Sequence, residues 1–90
     1  MAHVRFTRHL QRYFPALHDQ EVPAATVAEL VAELNRRYPG LAGYLVDERG
    51  ALRKHVNIFV DRDLVHDRAH LADTITAGSV VDVIQALSGG

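Results

Sequence analysis

Ninety residues with a formal net charge of −1, 48% hydrophobic content and no cysteine suit one small domain with a modest core. That composition argues against disorder. The missing cysteine excludes disulfides, thiolate metal sites and a cysteine nucleophile, and no run approaches the ~18 apolar residues of a membrane span.

Met1 to Phe6 alternates polar and apolar residues and lacks the apolar segment of a secretory signal. The basic residues are scattered among acidic ones, which argues against nucleic-acid binding. A cytoplasmic protein that binds neither membrane nor nucleic acid is the expectation.

His3 to Leu10 opens with Val4 and Phe6 on one side and Arg5 and Thr7 on the other. This period of two predicts a half-buried strand. Phe14 to Asp19 reads as a loop, and a weaker strand is expected around Gln20-Glu21-Val22, stopped by Pro23. Thr26 is a good N-cap, and Glu29 three residues later completes a capping box. Val27, Leu30, Val31 and Leu34 then recur at helical spacing as one apolar stripe. Arg36 and Arg37 complement the dipole at the last turn, and Tyr38-Pro39-Gly40 ends the helix.

Leu41 to Leu45 is expected to form a short helical turn, and Asp47-Glu48-Arg49-Gly50 has turn chemistry. Val56-Asn57-Ile58-Phe59-Val60 alternates again, with Val56, Ile58 and Val60 on one face and Phe59 on the other. Asp61-Arg62-Asp63 breaks this strand, and Leu64-Val65 returns as a brief edge strand. Ala77-Gly78-Ser79 is the turn before a last strand, in which Val81 and Val83 face the core and Asp82, Ile84 and Ala86 lie opposite.

The predicted class is α+β: a mixed four- to five-stranded sheet with one main helix packed on one face, because one apolar stripe must bury against one sheet face. A strand running into Gly89-Gly90, with only Ser88 after Leu87, suggests the β-grasp or ubiquitin-like architecture. The expected organisation is a domain over 1–87 and a flexible diglycine tail over 88–90. Glycine adds no packing, so the tail is either a frayed end or a free carboxylate on a thin arm of about 13 Å from Leu87 to Gly90, at ~3.3 Å per residue.

Four sets of residues point to this arrangement. They are the helix end Arg37-Tyr38-Pro39-Gly40-Leu41, the loop from Leu45 to Arg53, the strand Val56-Asn57-Ile58-Phe59-Val60, and Gly89-Gly90. Together they resemble the MoaD/ThiS family of sulfur-carrier proteins, β-grasp relatives of ubiquitin, over nearly the whole chain. The resemblance implies a protein that is a substrate rather than a catalyst. An E1-like activating enzyme would adenylate the Gly90 carboxylate, using ATP and magnesium. A sulfur donor would then displace AMP, and the thiocarboxylate would pass sulfur to a biosynthetic enzyme. Gly89 would let the arm pass a narrow channel. No cofactor would be bound by the chain itself.

The chain departs from the family in two places. The common Pro-Pro-Val-Ala-Gly-Gly ending is Gln85-Ala86-Leu87-Ser88-Gly89-Gly90 here, and Asp61-Arg62 replaces an Asn-Gly. Molybdopterin, cysteine and specialised-metabolite pathways all remain open, whereas the thiamin-type carriers are usually shorter. Two alternatives stand beside the carrier: a ubiquitin-like modifier conjugated through Gly90, and a β-grasp module that only docks proteins.

Phe59, Ile84, Ala86 and Leu87 are the candidate partner-docking residues, since contiguous exposed apolar surface marks interfaces; ordinary strand packing is the plain alternative. His66 and His70 would share a face only if their segment were helical, and spacing places no third ligand, so no metal site is expected. Ser79 and Ser88 lie in no nucleophile elbow, and no intrinsic catalytic residue is expected. Arg49, Arg53 and Lys54 form either a small basic face or ordinary solvated surface.

Overall fold

A computed structural model describes residues 1–85. Ala86, Leu87 and the predicted 88–90 tail lie outside the described residues. The elements in chain order are β1 (Ala2–Phe6), α1 (Arg8–Gln11), β2 (Gln20–Val22), α2 (Val27–Arg37), α3 (Ala42–Leu45), β3 (Val56–Val60), β4 (Asp63–Leu64) and β5 (Val80–Gln85). The five strands form one sheet in the order β2-β1-β5-β3-β4. β1 and β5 pair in parallel, and the other neighbours pair antiparallel. This is the mixed β-grasp sheet expected from the sequence, with its last strand at the centre.

Alternation along the strands decides which face is buried. Val4, Val56, Ile58, Val81 and Val83 are fully enclosed, and so are Val27, Leu30 and Leu34 of α2. The helix stripe therefore meets one sheet face, where burying each such side chain stabilises the fold by about 1.5–3 kcal/mol. Leu10, Leu17, Leu41 and Leu45 close the ends of the same core.

The α2 caps explain its length. Thr26 Oγ1 accepts the Glu29 amide at 3.2 Å, and Glu29 Oε1 accepts the Ala25 amide at 3.1 Å. The reciprocal bond of the box thus falls one residue earlier than the N-cap itself. At the other end Pro39 forces Tyr38 out of the helical region. Gly40 adopts φ +98°, and Asn35 Oδ1 accepts the amides of Gly40 and Ala42 at 3.1 Å each.

Two expectations are corrected. The strand read from His3 to Leu10 ends at Phe6, and residues 8–11 turn into α1, which buries Leu10. Leu10 continues the strand's alternation and fits a helical turn equally well, so periodicity alone could not place the boundary. The edge strand expected at Leu64-Val65 is Asp63–Leu64, because Val65 turns inward, is 4% exposed, and donates its amide to Ile58 O at 2.9 Å.

The β3–β4 hairpin turns on Asp61 and Arg62, both left-handed at φ 50° and 74°. Such a two-residue turn normally selects Asn-Gly. Asp61 fits because its carboxylate accepts Ser79 Oγ at 3.0 Å and the Val80 amide at 2.9 Å. These bonds tie the hairpin to the start of β5.

Candidate functional site

The sheet face opposite α2 carries the sequence-predicted docking residues that the structure describes. Register sets their neighbours: Asn57 opposes Ile84, Phe59 opposes Asp82, and Phe59 also opposes Leu64 on β4. Phe59 and Ile84 are therefore diagonal neighbours, a spacing of about 7–8 Å that large side chains bridge. Phe59 is half-buried, Ile84 is 37% exposed and Leu64 46% exposed. The structure thus brings Phe59 and Ile84 onto one surface and adds Leu64. The sequence reading took Leu64 only for an edge strand. Its signal was the hairpin register, which returns Leu64 to the face of Phe59.

Charged pairs border this apolar strip. Arg5 opposes Asp82 across β1 and β5, and its guanidinium donates in a fork to Oδ1 at 2.6 Å and Oδ2 at 2.9 Å. The hydrogen bond to Asp82, then its charge, raise the Arg5 pKa further above its ordinary value. His3 pairs with Glu21 toward the β2 edge. The strip is apolar on the β3–β4 side and ionic on the β1–β2 side.

Other predicted positions have structural roles. Ser79 is 2% exposed and is held by Thr76 and Asp61. His66 and His70 sit on a bend and a turn rather than a helix, so the premise for a shared face fails. Asp73 accepts the His66 and Asp67 amides at 2.9 and 2.8 Å, and the backbone bond from His66 is the main cause of its lowered pKa. Arg53 Nε donates to Gly43 O at 2.9 Å, while Lys54 is exposed. Arg49 lines an apolar groove of about 380 Å³ beside α2, with His70 and Ala32.

β5 carries the chain along the centre of this face to Gln85, opposite Val56. Ala86, Leu87, Gly89 and Gly90 follow and lie outside the described residues. The geometry up to Gln85 is that of a domain presenting a terminal strand beside an apolar strip.

The chain matches the ThiS family over residues 4–90. It belongs to the ThiS family. Among its relatives, small archaeal modifier protein 3 of Haloferax volcanii is 34% identical over 67 residues, covering 73% of this chain and 71% of the relative. The fold is shared with a chain of the Amycolatopsis orientalis BexX/CysO complex (TM-score 0.85, 22% identity, all of both chains). It is also shared with Mycobacterium tuberculosis CysO (TM-score 0.84, 24% identity, 97% of this chain and all of the other). The match extends through residue 90.

Proposed function

We propose that this ThiS-family chain is a sulfur carrier whose reactive group is the Gly90 carboxylate. A family match that runs through residue 90 carries the reading, and the partly exposed Phe59–Leu64–Ile84 strip across β3, β4 and β5 supports it. A carboxylate is a poor acyl donor. Adenylation by an ATP- and magnesium-dependent partner releases pyrophosphate and installs AMP as a leaving group. A hydrosulfide equivalent attacks the carbonyl carbon, AMP leaves with the bonding pair, and a thiocarboxylate remains. The chain contributes the acyl group and the docking surface, and its partners contribute the catalysis. Its lack of cysteine leaves the terminus as the place for the sulfur. Gly89 serves passage of the arm into the partner.

The relation to small archaeal modifier protein 3 favours a second reading, in which the same activated Gly90 forms an isopeptide bond to a lysine of a target. Self-chains would use Lys54, the one lysine here, or the amino terminus.

Intact-mass measurement after incubation with ATP, magnesium, the adenylating enzyme of the source genome and a sulfide source tests both readings. A carrier gains one sulfur for one oxygen, whereas a modifier gives higher-mass adducts. Deleting Gly90 should abolish either product while the melting temperature stays put. An unaltered terminus in the full mixture would overturn both.

A further inference from the structure

The end of the sheet where β5 runs out is unusually basic. β1 runs parallel to β5, with Phe6 beside Val83, so the chain enters α1 at that same end. β3 runs antiparallel, with Val56 opposite Gln85, so Arg53 to His55 also lie there. The segments are tied together. Arg53 donates its amide to Leu45 O at 2.9 Å and its Nε to Gly43 O, which holds α3 in place. Tyr44 of α3 stacks on Tyr13 with centroids 4.9 Å apart and meets Phe14 edge-on at 5.4 Å. His9 closes on Tyr13 at 5.9 Å.

Around this cluster Arg8, Arg12, Arg53 and Lys54 are exposed, and none forms an ion pair among the described residues. Elsewhere Arg5, Arg36 and Arg37 are each paired with a carboxylate, and the exposed Arg49 and Arg62, also without an ion pair among the described residues, lie on separate loops. Asp19 and Asp47, in adjoining loops, accept backbone amides and form no ion pair with these four residues. A net charge of −1 therefore coexists with four exposed cations, outside any ion pair among the described residues, on the segments around the chain exit. Tyr13 is 51% and Tyr44 37% exposed, a pair of aromatic rings on the segments that carry these cations.

We propose that Arg8, Arg12, Arg53 and Lys54, with the stacked Tyr13 and Tyr44 on the same segments, dock an acidic surface of the protein that receives the carboxyl terminus. The proposal rests on the reading of Gly90 as the reactive group. Rigid, half-exposed aromatic rings serve as interface anchors, while unpaired cations steer an oppositely charged partner and set its orientation. Steering at the chain exit acts where it is most effective, because it aims the terminus as well as the domain. This surface lies around the end of the sheet, apart from the apolar strip on its face.

Two measurements test it. In ¹⁵N-resolved NMR, hexaglutamate should shift the amides of residues 8–14, 44 and 53–55, with the shifts fading as salt rises. The double variant R12E/K54E should lose them, and R62E, at the opposite end of β3, should keep them. In adenylation by the source genome's activating enzyme, R12E/K54E should raise KM about tenfold at unchanged kcat and flatten its salt dependence, with R62E near wild type.

Shifts that are absent, or that are equally large around Arg62, overturn the proposed docking surface, as does a stronger response to a single-stranded oligonucleotide of equal charge. An unchanged KM in R12E/K54E overturns it while leaving the carrier reading intact. Glutamate shifts in a protein that no enzyme adenylates overturn the carrier reading and leave the acidic docking surface standing.

Discussion

Phe59 and Leu64 face each other across the β3–β4 hairpin, on the sheet face that α2 leaves uncovered. Phe59 lies diagonal to Ile84 on the central strand, so the three side chains run across β4, β3 and β5. Truncating exposed apolar anchors should therefore change recognition more than folding. L64S and I84S should each lower adenylation efficiency about tenfold, the effect of losing one interface anchor. Their melting temperatures should stay close to wild type, since both side chains are already partly in water. Wild-type efficiency in both variants would remove this strip from the partner interface.

The turn beneath that pair is strained. Arg62 sits at φ 74°, where a side chain costs about 1 kcal/mol or more and glycine costs little. R62G should raise the melting temperature by about 4–8 °C, the response of a domain this size to ~1 kcal/mol. D61A should lower it, because the left-handed φ stays while the bonds to Ser79 Oγ and the Val80 amide are lost. Thermal unfolding followed by circular dichroism reads both. Destabilisation by R62G would show that the arginine side chain outweighs the backbone strain.

Glu33 gives stability a pH dependence with a definite sign. Hydrogen bonds from Arg36 and then Arg37 hold its carboxyl down at about 2, below the ordinary 4.5. A carboxylate depressed in the folded state stabilises fully above its unfolded pKa and loses that contribution as pH falls through the folded one. The melting-temperature gap between wild type and E33Q should therefore be constant from neutrality to about pH 5 and close between 4.5 and 2. A gap independent of pH over that range would show that Glu33 acts by packing instead.

Leu34 tests the core directly. It is fully buried on the stripe of α2, and L34A should cost about 2–5 kcal/mol. That is a large share of the 5–15 kcal/mol typical of a domain. Urea unfolding should show a lower midpoint at a similar slope.

Most of the framework was legible because each element repeats its own signal. Val27, Leu30, Val31 and Leu34 state a helix, and Thr26 with Pro39 and Gly40 bound it within a residue. Val56, Ile58, Val81 and Val83 name the inner sheet face by alternation alone. What escaped depends on pairings distant in sequence or on single backbone angles. The two-residue strand Asp63–Leu64 takes its face from the left-handed turn at Asp61-Arg62, so Leu64 could not be assigned to the strip from its neighbours. Tyr13 and Tyr44 stack although 31 positions apart in sequence, with no local periodicity to announce it. Arg8 falls within the strand expected from His3 to Leu10, Arg12 falls in no expected element, and α1 is what brings the two together.

The parallel pairing of β1 with β5 sets an order of events during synthesis. β5 fills the gap between β1 and β3, yet among the described strands it is the last to leave the ribosome. Until Gln85 has emerged, the two halves of the sheet have no common ladder, and contacts such as Arg5 with Asp82 wait for a segment made 77 residues later. Closure through such distant pairings is slow compared with helix formation. Nascent chains therefore cannot display the surface formed by Phe59, Leu64 and Ile84, and a partner that reads it engages only polypeptides whose translation has passed β5.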